Sequence, residues 1–89
     1  MADGTKTFYV VNLTTVTQQL IPARGYRASV IIYNAGSDLI WLSNQSAVNP
    51  ILSGLPVPSG TYIYEFTSSD AWYARANSLT ANVRIVEAR

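Results

Sequence analysis

The sequence predicts an all-β fold, a small antiparallel β-sandwich or barrel of about seven strands. Short runs of β-branched and aromatic residues recur along the chain, and clusters of turn-forming residues separate them about every 8–12 residues. No run has the length and periodicity of a stable helix. Because the chain has only 89 residues, it is expected to form a single domain over residues 1–89.

Each strand is predicted from a run of residues that favour the extended backbone. The run at 28–33 is the most apolar, and turn residues from Asn34 to Asp38 lead directly into the run at 39–42. These two runs are therefore expected to pair as a hairpin. Residues 1–6 precede the first run and are expected to form a flexible arm. In chain order, the predicted strands cover 8–13, 16–21, 28–33, 39–42, 62–66, 71–76 and 82–86.

The segment 44–60 is rich in proline. It contains Pro50, Pro56 and Pro58, three of the four prolines of the chain, and is longer than an ordinary loop in a compact domain. Its apolar residues favour packing against the sandwich. Because proline is tolerated at sheet edges, a short edge strand is expected within this segment.

Two predicted strands are apolar on both faces. Side chains alternate along a strand, so Val30 and Ile32 point to one side of the sheet and Ile31 and Tyr33 to the other. The run at 39–42 shows the same pattern. A sandwich has one core, so the second apolar face is expected to meet a neighbouring subunit or the proline-rich segment. The candidate oligomer interface consists of Ile31, Tyr33, Ile40, Leu42, Tyr62 and Tyr64.

The composition favours association with other proteins. Charged residues make up 12% of the chain, against about 25% in ordinary soluble domains. There is no cysteine and no histidine, so neither a disulfide nor an ordinary zinc site can stabilise this small domain. The net charge is +1 without a basic cluster, which argues against nucleic acid and membranes as partners. No signal peptide is recognised, so folding in a cytoplasm is expected.

The chain offers no recognisable catalytic set, so it is not expected to be an enzyme or to bind a metal or cofactor. No Ser or Thr has a histidine base, and no phosphate-binding glycine pattern is present. Glu65 and Glu87 form the only carboxylate pair on predicted strands, and they are interpreted as exposed or salt-bridged side chains. The last predicted strand is expected to bury Val83 and Ile85 and to expose Arg84 and Glu87.

Polar contacts with a partner are expected to come from turns. Tyr62, Tyr64 and Phe66 share one strand face and are open to three interpretations: core packing, a subunit interface or a platform on which sugar rings stack. The stacking platform would use Tyr62, Tyr64 or Trp72. The candidate partner-binding residues are Arg24, Arg27, Asn44, Gln45 and Asn49.

The order of these motifs resembles that of small bacteriophage virion proteins. In that group an Arg-containing turn leads into a strand that ends in Asn, and an apolar strand follows. A Gly/Pro-rich segment, an aromatic strand and a final strand with Arg and Glu complete the pattern. In this chain the matching residues are 20–23, Arg27, 30–34, 39–42, 55–60, 71–74 and 83–87.

The resemblance implies a β-sandwich that decorates or cements an assembled phage capsid. Its partners would be the major capsid protein or other virion proteins, and a homotrimer is the expected oligomer. The expected location is the virion, at the capsid surface, after assembly in the host cytoplasm. Two alternatives stay open: a carbohydrate-binding module of a head or tail fibre, and a ring-forming neck or tail adaptor.

Overall fold

A computed structural model of the chain describes residues 6–25, 29–46, 54–66 and 70–88. These residues form two four-stranded antiparallel sheets and no helix. The all-β sandwich predicted from the sequence is therefore confirmed. In chain order, the strands in the described part are β1 (Lys6–Leu13), β2 (Gln18–Ile21), β3 (Ser29–Asn34), β4 (Ile40–Ser43), β5 (Leu55–Val57), β6 (Tyr62–Phe66), β7 (Trp72–Ala76) and β8 (Ala81–Ala88).

Strands that follow one another along the chain mostly belong to different sheets. The first sheet has the order β1-β8-β3-β6, and the second has the order β2-β7-β4-β5. Within the described part, β4 and β5 are the only consecutive strands that pair with each other. Two interleaved sheets with these crossovers form a jelly roll.

The hairpin predicted for runs 28–33 and 39–42 is wrong. β3 pairs with β6 and β8 in the first sheet, whereas β4 pairs with β5 and β7 in the second. The turn between β3 and β4 has the composition of a hairpin turn, but it carries the chain from one sheet to the other. Composition alone does not distinguish these two uses of a turn.

Asn34 holds this crossover in place. Its side chain is fully buried, and Nδ2 donates hydrogen bonds to the backbone oxygens of Asp38 at 2.8 Å and Val57 at 2.9 Å. Its Oδ1 accepts a bond from the backbone N–H of Gly36 at 3.1 Å. One side chain therefore ties the end of β3 to its own turn and to β5 of the opposite sheet.

Gly36 lets the same turn approach the start of β8. A Cβ at this position would lie 2.8 Å from the backbone nitrogen of Asn82 and 2.9 Å from the Cα of Ala81. Both neighbours are backbone atoms, so neither can rotate away. Any side chain at position 36 would have to displace the turn or the strand.

Gly36→Ala is therefore expected to lower the free energy of unfolding by about 1–3 kcal/mol. Gly25→Ala is the matched control, because a Cβ at position 25 would meet no atom within 4 Å. Chemical denaturation of the two variants measures the difference. An equal loss of unfolding free energy in the two variants would contradict the close approach described for Gly36.

The core lies between the two sheets and is built from the inward side chains of each. Ile40 and Leu42 of β4 belong to it, with 0% and 1% of their surface exposed. Asn34, Ser43 and Glu87 are the polar members of the buried set in the described part. The buried hydrophobic residues are Leu13, Leu20, Ile21, Val30, Ile32, Ile40, Leu42, Val57, Ala74, Ala76, Ala81, Val83 and Ile85.

The short edge strand expected in segment 44–60 is β5. Leu55–Val57 includes Pro56 and lies at the edge of the second sheet beside β4. Proline can occupy this position because an edge strand has one side that needs no N–H donor. With β5 included, the described part has eight strands instead of the predicted seven or so. Of the expected N-terminal arm, Lys6 is already part of β1, and residues 1–5 lie outside the described residues.

Asp38 anchors the turn that follows β7. Its Oδ2 accepts hydrogen bonds from the backbone N–H groups of Ser78 and Leu79, each at 2.9 Å. These two bonds, that from Ser78 foremost, lower the pKa of Asp38 below its ordinary value because they stabilise the charged carboxylate.

The lowered pKa predicts how Asp38 contributes to stability. A carboxyl group with a depressed pKa in the folded state adds stability above its unfolded pKa, and this stability is lost as the pH falls through the folded pKa. Asp38→Asn is expected to be less stable than the parent chain at neutral pH, with a difference that shrinks below about pH 4. Thermal melting of both proteins across this pH range measures the difference in stability. A difference that stays constant down to about pH 2.5 would contradict the assignment.

Candidate interaction surface and the buried ion pair

The outer face of the first sheet carries exposed apolar and aromatic side chains; we call it the aromatic face. Phe8 on β1 is 74% exposed and Tyr62 on β6 is 64% exposed, so large side chains at both edges of the sheet are open to solvent. Contiguous apolar patches of this kind typically mark interaction sites. The described apolar members are Phe8, Val10, Ile31, Tyr33, Tyr62, Tyr64 and Val86.

The register of the strands makes the aromatic face continuous. Directly opposite residues in neighbouring antiparallel strands have Cβ atoms about 4.5–5.5 Å apart, so their side chains touch or nearly touch. Two complete rows cross all four strands of the first sheet. One row consists of Phe8, Val86, Ile31 and Tyr64, and the next consists of Val10, Arg84, Tyr33 and Tyr62.

The aromatic face is also positively charged. Arg84 lies in the middle of one row, and Lys6 lies at the start of β1; both are exposed. Arg84 Nε donates to Oδ1 of Asn82 at 3.4 Å. Among the side chains that the structure describes on this face, none is acidic. The surface thus fits a partner that offers apolar area together with carboxylates.

The structure divides the predicted oligomer interface into two groups. Ile31, Tyr33, Tyr62 and Tyr64 lie together on the aromatic face. Ile40 and Leu42 do not, because they point into the core between the sheets. A neighbouring subunit could not reach them without separating the sheets, so this part of the prediction is corrected.

Phe8 and Val10 were missing from the predicted interface. Both are exposed, at 74% and 64%, whereas their neighbour Leu13 is fully buried. The period-two pattern of β1 contains the signal: the even-numbered positions from Lys6 to Asn12 mix polar and apolar residues, as a solvent-facing row does. The apolar residues of this run predict a strand, but they do not indicate which of its faces is exposed.

Arg24, predicted to contact a partner, forms an ion pair with the buried carboxylate of Glu87, and its own side chain is 26% exposed. Its Nε lies 3.1 Å from both carboxylate oxygens of Glu87, whose side chain is 0% exposed. The Tyr9 hydroxyl donates to Oε1 of Glu87 at 3.1 Å. Because the guanidinium offsets a buried negative charge, Arg24 has a structural role within the sandwich.

The expected exposure of Glu87 is also wrong. Glu87 has the same parity as Val83 and Ile85, so it lies on the inner face of β8 with them. Glu65 lies on the inner side of β6, and Val30 pairs with both Glu65 and Glu87. Of the two interpretations given for Glu87, an exposed or a salt-bridged side chain, the structure shows the salt bridge.

The remaining described candidates follow β4, whose last residue, Ser43, lies opposite Tyr73 at the start of β7, at the same end of the second sheet as the last residue of β2, Ile21. Asn44 and Gln45 are exposed just after β4; Nδ2 of Asn44 donates to Oδ2 of Asp70 at 3.1 Å. Arg27 and Asn49 lie outside the described residues. The described candidates Arg24, Asn44 and Gln45 thus lie on two connections at the same end of the sandwich, and their contact with a partner stays a prediction.

Trp72 does not join the tyrosines. It is half-buried, packs against the core, and lies on β7 of the second sheet. The sugar-stacking platform considered from the sequence therefore reduces to Tyr62 and Tyr64, with Tyr33 beside Tyr62 on the same face.

The described part of the chain encloses no pocket for a small molecule. It also contains no group of three or more acidic or other metal-ligating side chains, and no helix in it could cross a membrane. The aromatic face is consequently the main candidate for a functional surface in the described residues.

No protein-family model and no curated protein matches the chain. Solved structures do match. An HTH_3 family transcriptional regulator from Vibrio cholerae aligns with a TM-score of 0.71 and 12% identity, over 98% of this chain and 44% of its own. HppE in its Fe(II) form aligns with a TM-score of 0.62 and 9% identity, over 92% of this chain and 43% of its own. A protein of the disulfide-linked pili of Bacillus endospore appendages aligns with a TM-score of 0.57 and 8% identity, over 94% of this chain and 83% of its own.

These likenesses concern the fold. The chain spans less than half the length of the regulator and of HppE, and the identities are 12% or lower. A regulator, an iron protein and a pilus protein share this architecture, so the architecture does not decide the function.

The iron of HppE does not fit the residues of this chain. Non-haem Fe(II) sites commonly use two histidines and one carboxylate, and this chain has no histidine. The buried carboxylate of Glu87 is bonded to Arg24 and Tyr9. That the chain is not an enzyme remains a prediction.

Proposed function

We propose that this chain is a structural protein of a phage particle, which decorates or cements the assembled capsid by protein–protein contact. The observation that carries the proposal is the aromatic face, which leaves Phe8, Val10 and three tyrosines exposed on one continuous sheet surface. The phage context comes from the order of the sequence motifs. Jelly rolls occur in viral capsid proteins, and also in lectins and cupins.

The proposed mechanism is the burial of apolar surface of this chain against the capsid. Apolar surface removed from water stabilises a contact by about 25 cal/mol per Å² before the costs of association. Tyrosine suits such a face because it combines a large apolar ring with a polar tip that can bond at the rim. A protein that contacts several capsid subunits at once gains further affinity through multivalency.

The charge of the aromatic face favours a partner other than a second aromatic face. Two copies facing each other would bring Lys6 and Arg84 of both into one layer, and the described side chains there supply no acid. Burying such cations unpaired is unfavourable. A capsid surface with carboxylates around an apolar patch would match it.

The test uses particles from which the protein has been stripped. Adding back the parent chain is expected to raise the temperature at which the particles release DNA. The triple variant Tyr33→Ser/Tyr62→Ser/Tyr64→Ser is expected to rebind at least about tenfold more weakly, which corresponds to about 1.4 kcal/mol. Its own fold should persist, because these side chains are exposed.

Val16→Ser/Leu79→Ser is the matched control, since it removes two exposed hydrophobic residues that lie outside the aromatic face. Full rebinding of the triple variant would overturn the assignment of the face. If the parent chain gives no increase in thermal stability at all, the capsid-cement function itself fails.

The cluster of tyrosines also favours a second candidate, a carbohydrate-binding module of a fibre. Tyr33 lies opposite Tyr62, and Tyr64 is on the same strand face, so three rings could offer a stacking platform. Saturable binding of a glycan by the isolated domain, abolished by Tyr62→Ser, would support this candidate. Stripped particles would then lose host attachment and keep their thermal stability.

A further inference from the structure

The four edge strands of the sandwich differ in how well they are protected. An edge strand exposes backbone N–H and C=O groups that can pair with another strand, and natural proteins shorten, bend or charge such edges. β5 has three residues and contains Pro56, and β2 has four residues and a register shift between Gln19 and Ile21. β6 has five residues and points Glu65 inward.

β1 lacks these protections. It has eight residues, Lys6–Leu13, without proline and without a register shift against β8. In the described part, β8 is its only neighbouring strand in the sheet. Its single charged residue, Lys6, is at its first position. Long, regular and apolar edges of this kind pair with further strands.

We propose that β1 pairs antiparallel with β1 of a second copy, so that two first sheets join into one continuous sheet across a two-fold axis. A two-fold contact uses the same strand from both subunits, so no second binding surface is required. This inference does not depend on the proposed function, because it concerns the backbone edge of β1 and a second copy of the chain as partner, although Phe8 and Val10 belong to both surfaces.

The side chains of β1 favour one register, centred on Tyr9. Directly opposite residues must lie on the same face, so only registers centred on a residue are possible. Centring on Tyr9 places Phe8 opposite Val10 of the second copy, an aromatic and β-branched pair of the kind that stabilises sheets. It also places each Lys6 opposite Asn12 of the second copy, which keeps the two lysines apart.

The two neighbouring registers are less favourable. Centring on Phe8 would place each Lys6 opposite the apolar side chain of Val10. Centring on Val10 would place Phe8, which is 74% exposed, opposite the amide of Asn12. The Tyr9-centred register therefore covers the apolar part of the edge best. It would also join two aromatic faces side by side, giving a surface about twice as wide.

Cysteine pairing tests the register directly, because the chain has no cysteine of its own. Disulfides require Cβ atoms about 3.5–4.5 Å apart, which directly opposite residues can approach and diagonal residues cannot. Mixing Phe8→Cys with Val10→Cys protein under mild oxidation is expected to give mostly the mixed dimer, with little dimer of either variant alone. Val16→Cys mixed with Leu79→Cys is the control, because both positions are similarly exposed.

Native mass and a charge substitution test the pairing itself. The parent chain is expected to be a dimer, and Val10→Lys should weaken it at least about tenfold, because the new ammonium would face Phe8 of the second copy without an acid. Val16→Lys should leave the dimer intact. A monomer at about 100 μM, or the trimer expected from the sequence resemblance, would overturn the inference. Either result would leave the capsid rebinding test of the aromatic face standing.

Discussion

Arg24→Ala is expected to lower the free energy of unfolding by about 3–5 kcal/mol, because it leaves the carboxylate of Glu87 buried without its cation. Small domains are stable by only about 5–15 kcal/mol, so the variant would approach the limit of folding. Chemical denaturation measures the loss directly. Each kcal/mol corresponds to a fall in Tm of about 4–8 °C for a chain of this size.

A matched control separates the ion pair from the general effect of losing an arginine. Arg84→Ala is the matched control: Arg84 is exposed, and its loss should change stability by less than about 0.5 kcal/mol. A loss for Arg24→Ala no greater than that of the control would contradict the role assigned to the pair.

The double variant Arg24→Met/Glu87→Met gives a further check. Replacing a buried ion pair by apolar residues of similar size is often neutral or stabilising. The double variant is therefore expected to be more stable than Arg24→Ala. A double variant as unstable as Arg24→Ala would contradict the assignment of the loss to an unpaired buried charge.

Asn34→Asp is expected to cost at least about 3 kcal/mol, although it changes only one atom of the side chain. The two hydrogen bonds that Nδ2 donates to the backbone oxygens of Asp38 and Val57 would be lost. The bond to Val57 is buried and that to Asp38 is partly buried, and a buried acceptor left alone costs about 1–3 kcal/mol. A carboxylate would also face those two oxygens.

Asn77→Asp is the matched control for this substitution. Asn77 uses its Oδ1 to accept a bond from Nε1 of Trp41 at 3.0 Å, and an aspartate can still accept it. The control should stay within about 0.5 kcal/mol of the parent chain. Similar denaturation midpoints for the two variants would show that Asn34 does not hold the crossover as described.

The strands could be predicted from the sequence because alternation and turn residues are local signals. The existence of β5 could be predicted as well, since proline in an apolar segment indicates an edge. The partner of each strand could not. A turn such as 35–39 has the same composition in a hairpin and in a crossover, and here the choice depends on Asn34 contacting Val57, 23 positions away.

The predictions about the surface divide in the same way, into features with a local sequence signal and features without one. Two of six predicted interface residues, Ile40 and Leu42, are core residues, because the sequence shows that a strand is apolar on both faces without showing which face is covered. Arg24 and Glu87 are 63 positions apart, so their pairing has no local signal. The burial of Glu87 did have one, because its parity matches that of Val83 and Ile85.

The interleaved sheets also have a consequence for how the domain folds. Lys6 lies opposite Ala88, and β8 occupies the place between β1 and β3. The first sheet therefore cannot form before β8 has been synthesised. Until then, β1 and β3 lack the strand that lies between them. Topologies dominated by such distant pairings fold in milliseconds to seconds, much more slowly than helical bundles. During that interval the open edge of β1 is available to other nascent chains, so synthesis is when this domain is most exposed to mispairing.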